Sequence, residues 1–445
     1  MNLNKLKQTN TAYMKTFYHL LVNTLISSII NYTVWFAITF YVYLETRSVF
    51  ATAMISGIFL VTTATLGFWF GSLIDNHKKK IIMLLSSFFS LLVYALCFII
   101  YITAAPGSFK DPASPTLWIF VVFLIMGVIA GNIRTIALPT IITILIPEDR
   151  RDKANGLAGT ASGISFLVTS VISGFLVGHS GMYWVLILAI TMTTATIIHL
   201  WAVSIPEKKV VHLQDGLPQK KNIDIRGTIK VISAIPGLFA LILFATFNNF
   251  LGGVFMALMD AYGLSLVSVQ VWGLLWGVLS LGFIIGGLII AKWGLGKNPL
   301  RSLFMANIII WAICSVFTIQ SSIYLLSIGM FIYLCVVPYI EASEQTIIQK
   351  VVPHERQGRV FGFAQSVEQA ASPLTAFMIG PIAQFFFIPF MTTGAGVDLI
   401  GNWFGTGSDR GIALVFTITG IIGLIVTLIA MRSKVYILLS KRYSE

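Results

Sequence analysis

From residue 17 to residue 432 the chain alternates long apolar runs with short polar connections. Twelve runs stand out, at about 17–44, 50–74, 80–104, 116–146, 154–178, 182–204, 232–259, 266–291, 300–319, 322–350, 358–388 and 409–432. A helix rises about 1.5 Å per residue, so roughly 20 residues cross a hydrocarbon core about 30 Å thick. Every run reaches that length, and the longer ones imply tilt or protruding ends. Backbone polar groups inside a bilayer must bond within the chain, so such runs cross as helices. The expectation is an all-α membrane protein with twelve transmembrane helices, multi-pass in a cell (plasma or inner) membrane. Charged residues make up 10% of the chain and hydrophobic residues 57%. A soluble domain carries about 25% charged residues.

The formal net charge of +12 could suggest a nucleic-acid partner. The placement of the charges argues against one. With connections assigned alternately to the two sides, Arg47, Lys110 and Arg410 fall outside and Arg134 falls within a span. That leaves 25 of the 29 lysines and arginines on the cytoplasmic side. This is the positive-inside pattern, and it puts both termini in the cytoplasm. The first run is too long for the apolar core of a signal peptide and lacks a small-residue cleavage site, so it reads as a span. Cys97, Cys314 and Cys335 all lie in apolar runs and read as packing residues. No disulfide framework, metal site or cofactor is expected.

Residues 205–230 carry Pro206, Pro218 and six lysines or arginines without an apolar period. They read as a cytoplasmic linker between two six-helix halves, 1–204 and 231–445. An internal repeat supports two pseudo-symmetric bundles. Thr140–Pro147 matches Thr346–Pro353 at an offset of 206 residues, and the same offset pairs Asp149 with Glu355, Arg150 with Arg356, Lys153 with Arg359 and Gly156 with Gly362. Repeated halves with a site between them mark transporters. A single chain carries both halves, so a monomer suffices. The connection at about 389–409 is glycine-rich, and Ser408 or Asp409 is expected to cap the last span.

The connection between the second and third spans reads Gly71-Ser-Leu-Ile-Asp75-Asn-His-Lys-Lys-Lys80. Gly67 and Gly71 share a helix face and let a neighbouring helix come close. Asp75 ends that helix, where its carboxylate can accept from backbone N–H groups or face the N-terminus of another helix. Lys78–Lys80 can pair with acids of the next cytoplasmic connection. Gly71-x-x-x-Asp75-x-x-x-Lys79-Lys80 resembles the loop motif between the second and third spans of the major facilitator superfamily. The resemblance implies the major facilitator fold. Glu148, Asp149 and Asp152 of the fourth-to-fifth connection could pair with Lys78–Lys80 and Arg150, so Gly71, Asp75, Lys79, Lys80, Glu148, Asp149 and Arg150 are the candidate conformational gate. The plainer alternative for those charges is loop salt bridges worth about 0–1 kcal/mol each.

Polar groups within spans point to function. Arg134 lies about 20 Å above the inner end of the fourth span, and Glu341, Glu344 and Glu368 lie roughly 15 Å or less from the inner ends of spans ten and eleven. An Arg or Asp at a helix centre costs roughly 2.5–3.5 kcal/mol on insertion scales. These groups therefore face protein or water. One acid, Glu341 or Glu368, could carry a transported proton as its exposure and partner change. A static Arg–Glu clamp, or acids lining a cavity without titrating, is the alternative. Asn23, Ser27 and Asn31 form a polar stripe on span one. Asn248 and Asn249, followed by Gly252 and Gly253, mark a local bend in span seven. Asp260 reads as an interfacial charge. His19, His179, His199 and His354 lie near span ends and show no metal-ligand spacing.

The stretch Val337–Phe361, with its Pro–aromatic pair, Gln-Thr, Pro353 and Gly358-Arg-Val-Phe361, resembles the macrolide and multidrug efflux branch of that superfamily. It implies export of a bulky, partly apolar small molecule in exchange for protons, with the proton gradient as energy source. The span-five Gly-Pro pair of related exchangers is missing here, although Gly156, Gly159, Gly163, Ser173 and Gly174 keep small residues. Import, or export of a metabolite, siderophore or lipid with another ion, stays open. An enzyme is not expected: no His-Glu-x-x-His, Gly-x-Ser-x-Gly or phosphate loop occurs. A channel is disfavoured by the lack of a repeated charged ring.

Overall fold

The computed structural model describes residues 3–46, 49–207 and 225–444. Among these, twelve helices are long and apolar enough to cross a membrane: Tyr13–Thr46, Met54–Asn76, Lys79–Thr103, Pro115–Leu145, Glu148–Ser180, Tyr183–Ala202, Leu238–Leu266, Leu274–Trp293, Pro299–Val316, Ile323–Val351, His354–Thr392 and Ser408–Met431. They are numbered here as spans one to twelve. Most of the expected linker, 208–224, and the outer Arg47 lie outside the described residues. The linker's last residues belong to a short helix, Ile225–Ala234. Its Thr228 and Ile232, one turn apart, are buried while Ile225 and Ile229 face out.

Residues group into two compact units. Unit 1 is Met1–Ala154, Ile164–Thr228 and Val352–Phe363; unit 2 is Asn155–Gly163, Ile229–Val351 and Ala364–Glu445. Each unit thus holds six spans of one half, less a short piece at the start of span five or eleven, plus the matching piece from the other half.

In unit 1, span four is two helices, Pro115–Gly131 and Ile133–Leu145, joined at Asn132. Pro139 has no N–H to give to the Thr135 carbonyl, which weakens the ladder just past the joint. Gly131 sits where any side chain would collide with the Asn31 amide, so spans one and four meet backbone to side chain. A ring cluster of Tyr41, Tyr101, Phe109 and Phe120 closes the opposite end, with Phe109 and Phe120 centroids 5.2 Å apart.

In unit 2, Phe255, Phe317 and Phe416 pack with Trp311 at the centre, and Phe255 stacks on Phe416 at 4.9 Å. Span eight joins two helices at Ser280, and span eleven carries a π-turn, Ala383–Phe387, between Pro381 and Pro389. The glycine-rich connection contains a helix of its own, Ala395–Phe404. Span twelve is not capped by Ser408 or Asp409. Its N-cap is Gly407 at φ 126°, a conformation that favours glycine, and Asp409 instead accepts from the Ser321 hydroxyl at 2.7 Å. Arg410, expected in an outer connection, is buried. It donates to the Phe404, Thr318 and Ile319 carbonyls at 2.6, 2.9 and 2.8 Å and lies 4.2 Å from the Phe404 ring centre. The guanidinium fastens the Ala395–Phe404 helix to the end of span nine. Asp260, read as an interfacial charge, is exposed and accepts from both the Trp272 and Trp276 indoles, at 2.9 and 3.3 Å.

Candidate functional site

The polar groups of unit 1 converge on Arg134. It begins the second helix of span four and is 2% exposed. One Nη donates to Ser87 of span three at 2.7 Å and to the Asn23 Oδ1 of span one at 3.4 Å. Among the described residues it makes no ion pair, and its Nε has no partner. A buried guanidinium without a counter-charge is costly. Its uncompensated charge is therefore available to an anionic group. Asn23 is fully buried and donates to the Thr196 carbonyl at 2.9 Å and to His199 at 3.2 Å on span six. Asn31, two turns on, accepts from the Tyr94 hydroxyl at 3.4 Å. The polar stripe of span one thus faces the unit interior along its length.

Unit 2 gathers the acids. Glu341 and Glu344 follow Pro338 on one face of span ten. The Glu344 carboxyl comes within hydrogen-bonding reach of Glu368 on span eleven, and Glu341 acts electrostatically on both. No lysine or arginine pairs with any of the three among the described residues. A carboxylate only accepts, so two carboxyls bond to each other only while one holds a proton. Glu368 Oε1 is buried without a partner, whereas Glu341 is exposed. The cluster therefore has a closed end at Glu368 and an open end at Glu341.

Asn248 and Asn249 lie in a continuous helix. Asn248 donates to the Phe244 carbonyl at 2.8 Å and accepts from the Trp311 indole at 2.7 Å. Asn249 is exposed and donates to the Ala245 carbonyl at 3.1 Å, while its own carbonyl accepts from Ser372 at 2.8 Å. Gly253 permits that approach, since a Cβ there would collide with the Ser372 carbonyl. The helix runs unbroken through Asn248, Asn249, Gly252 and Gly253. What the glycine provides is contact with span eleven, one turn past Glu368.

At the lysine-rich end of unit 1, Asp75 is 6% exposed and meets a helix N-terminus. It accepts from the Gly358 and Arg359 amides at 2.7 and 2.8 Å, with Arg359 Nε 3.8 Å away. The Lys79 ammonium also acts on it electrostatically. Gly71 comes so near that a Cβ would stand 2.5 Å from the Gly358 carbonyl. The Lys79 and Lys80 amides both donate to Glu207, at 2.7 and 2.9 Å, and Lys80 Nζ reaches the Trp201 carbonyl at 2.8 Å. Of the fourth-to-fifth acids, Asp149 pairs with Arg150 at 3.8 Å, both well exposed, which is worth little. Glu148 starts the short 3-10 turn before span five.

The sequence reading missed Gly358 and Arg359 as partners of Asp75, Glu207 as partner of the lysine loop, and Ser87 and His199 in the Arg134 cluster. Arg359 carried one signal: it aligns with Lys153 in the repeat, just after a proline that starts a helix. Glu207 carried none, because nothing local distinguishes a linker acid that caps a distant helix.

A sequence profile of the Major Facilitator Superfamily matches residues 20–376. The chain belongs to the Major Facilitator Superfamily. Within it, the chain is 23% identical over 370 residues to macrolide efflux protein A of Streptococcus pyogenes, covering 80% of this chain and 87% of that one. It is 24% identical over 315 residues to macrolide efflux protein A of Enterococcus faecalis, covering 68% and 92%. Among solved structures, a bacterial homologue of the iron transporter ferroportin in an outward-facing state is similar with TM-score 0.68 at 13% identity, covering 96% of this chain and 99% of that one. The human organic anion transporter MFSD10 (TETRAN) is similar with TM-score 0.67 at 13% identity, covering 95% and 99%. These structures share the fold. The protein is a multi-pass membrane transporter of the major facilitator type.

Proposed function

We propose that this facilitator-superfamily protein is a secondary active transporter that exports a bulky amphipathic or cationic small molecule in exchange for protons, by alternating access. The observation that carries the reading is the Glu341–Glu344–Glu368 cluster in unit 2, which has carboxyls in contact and no basic partner among the described residues. Such a cluster holds protons or a cation and has no other evident means of neutralisation. The name of the relatives, macrolide efflux protein A, supports export of a large, partly apolar compound. The lysine and arginine distribution supports insertion in the cell membrane with both termini in the cytoplasm. In this reading the Asp75 contact with the start of span eleven is the conformational gate, with Gly71, Lys79 and Lys80 setting its approach. The proton gradient supplies the energy, no cofactor is needed, and one chain is the working unit.

The test is transport in proteoliposomes under an imposed pH gradient, following a fluorescent cationic dye in wild type, Glu341→Gln and Glu368→Gln. The expected result is dye movement that follows the gradient and is uncoupled from it in at least one variant. Dye that moves equally without a gradient, or never moves, removes the proton-linked export reading.

One observation favours a second reading. Arg134 is a buried cation without an acid partner among the described residues, which suits a substrate bearing a carboxylate or phosphate. That substrate would be a specific metabolite, siderophore or lipid, moved in either direction with another ion. Dye transport that survives Arg134→Gln unchanged speaks against it; inhibition by an amphipathic anion that the same variant abolishes supports it.

A further inference from the structure

At one end of unit 2, spans seven and nine begin and span twelve ends, and a further helix, Lys434–Ser444, follows span twelve. Between these four elements lies a cavity of about 250 Å³. Its deep wall is apolar and buried: Leu241 and Phe244 of span seven, Leu300 and Phe304 of span nine, and Leu439 of the last helix. Phe304 ties the wall together. It stacks on Phe244 with ring centres 4.8 Å apart and meets the Tyr436 ring edge to face at 5.1 Å. The last helix is pinned as well, because the Asn298 amide donates to the Ser440 hydroxyl at 3.0 Å. Among the described residues, none that lines the cavity is charged. The Ser433 hydroxyl on its rim is already spent on the Ala430 carbonyl, at 2.6 Å. Such a wall suits an apolar occupant.

The rim is half-buried at Ala240, Ala430, Ser433 and Tyr436, so the cavity opens on that side. Beside the rim, Phe239 and Leu243 of span seven and Ile429 of span twelve are exposed apolar side chains. The opening therefore faces hydrocarbon rather than water. The last helix buries Leu439 against the cavity and leaves Ile437 and Leu438 exposed. Exposed apolar groups on a short basic helix past the end of a span place it in the membrane surface.

The surrounding charge is of one sign. Residues 229–244, 292–304 and 430–444 hold one, three and four lysines or arginines and no aspartate or glutamate. Arg301 follows Leu300 of the wall, and Arg432 and Lys434 bracket Ser433 of the rim. All three are exposed, and none makes an ion pair among the described residues. The positive-inside rule accounts for cations at this end of the spans. It does not account for an apolar cavity between them. A cationic cargo would be repelled here, and a free anion would leave the apolar wall unused. A molecule with an apolar tail and an anionic head uses both.

We propose that this cavity seats an acyl chain of an anionic phospholipid, with Arg301, Arg432 and Lys434 around its phosphate. The seat lies within unit 2 and shares no residue with the three glutamates. Filled, it ties the last helix to spans seven and nine.

The experiment is native mass spectrometry of the full chain released from detergent. The protein is titrated with phosphatidylglycerol, with phosphatidylcholine of the same chains, and with glycerol phosphate. The expected result is one phosphatidylglycerol retained by wild type in preference to phosphatidylcholine, and no retention of glycerol phosphate. Arg301→Gln, Arg432→Gln and Lys434→Gln should each weaken retention roughly fivefold, the effect of one basic residue at a membrane surface. Ala240→Phe fills the mouth of the cavity and should abolish retention with every charge in place. Lys220→Gln with Lys221→Gln, in the linker, should change nothing. Two wild-type results overturn the proposal: equal retention of phosphatidylcholine, or glycerol phosphate held as tightly as the lipid. A dimer that forms in place of the lipid complex overturns it in favour of a second copy of the chain. Retention that survives Ala240→Phe overturns it as well, since the lipid would then lie on the surface charges alone. If that variant fails to fold, the three exposed charge variants decide, and unchanged retention in all of them is the overturning result. Binding is read on resting protein, so its outcome is independent of whether a proton gradient drives dye transport.

Discussion

In unit 1 the backbone of span two lies against the first turns of span eleven; in unit 2 the backbone of span eight lies against the first turns of span five. Both contacts are made by glycine. Gly71 faces the Gly358 carbonyl and Gly362 faces the Gly67 carbonyl, while Gly287 faces Thr160 and the Gly156 carbonyl and Gly163 faces Phe283. The 206-residue offset relates Gly156 to Gly362, so the two contacts are copies of one arrangement. They differ in what fastens them. Unit 1 has a carboxylate, Asp75, on two terminal amides of the incoming helix. Unit 2 has no acid at the end of span eight, where Lys292 lies over the Trp293 ring instead. There the start of span five is held by neutral groups, and to span ten rather than span eight. Asn155 donates to Thr346 at 2.8 Å and to Gln349 at 2.9 Å, and Gln349 returns a bond at 3.3 Å. A charge on a helix N-terminus depends on its ionisation and on its neighbours; a pair of amides has no such handle. The comparison places the adjustable contact in unit 1 and the fixed one in unit 2.

The strongest way to break the comparison is to remove the charge. Asp75→Asn keeps the shape, but its amide nitrogen faces an N–H and Arg359 is left buried without a counter-charge. Removing one partner of a buried pair costs about 3–5 kcal/mol. The variant should melt well below wild type and lose transport. Asn155→Leu in unit 2 removes the neutral bonds to Thr346 and Gln349, at about 1–3 kcal/mol. Thermal unfolding of both variants in one detergent decides the matter. Equal losses would mean that the carboxylate contributes nothing that an amide does not.

Much of this fold is legible in the chain because a bilayer imposes its length on every span. The runs at 80–104 and 322–350 lie within two residues of the helices Lys79–Thr103 and Ile323–Val351. Gly71 and Asp75 were legible as a close approach and a helix terminus, since both follow from local chemistry. Their partner was not. Gly358 and Arg359 lie more than 280 residues away, and no periodicity selects between helix N-termini. The same limit hid His199, which looked like a histidine near a span end until Asn23 was found against it. The Ala395–Phe404 helix was hidden for another reason. Its flanking glycines read as loop, and what holds it is Arg410, a residue whose charge suggested solvent.

Glycine substitution sharpens the comparison at the next scale. Gly71→Ala would set a Cβ against backbone that cannot rotate away, and overpacking of this kind costs about 1–3 kcal/mol. Gly287→Ala meets backbone at Thr160 and Gly156 in the same way and should cost a similar amount. Gly57 has nothing within 4 Å, so Gly57→Ala should be neutral or slightly stabilising, by up to about 1 kcal/mol. Melting temperatures of the three variants would then rank the two contacts against an open helix position. A Gly71→Ala protein as stable as Gly57→Ala would show that span two is not seated on span eleven in the membrane.

The smallest effect separates the two halves of the unit 1 fastening. Arg359 contributes an ion-pair distance of 3.8 Å to Asp75, a bond of 3.1 Å to Asn76, and an Nε without a hydrogen-bond partner. The amides contribute two short bonds that no substitution of the Arg359 side chain removes. Arg359→Lys should therefore cost only about 1 kcal/mol, the value of one ordinary hydrogen bond. A double-mutant cycle with Asp75→Asn reads the coupling directly. A coupling near 1 kcal/mol leaves the helix terminus as the main partner of Asp75. A coupling that approaches the whole Asp75→Asn loss would make Arg359 the partner. The repeat would then be more nearly symmetric than it looks, because Lys153 aligns with Arg359 at the start of span five.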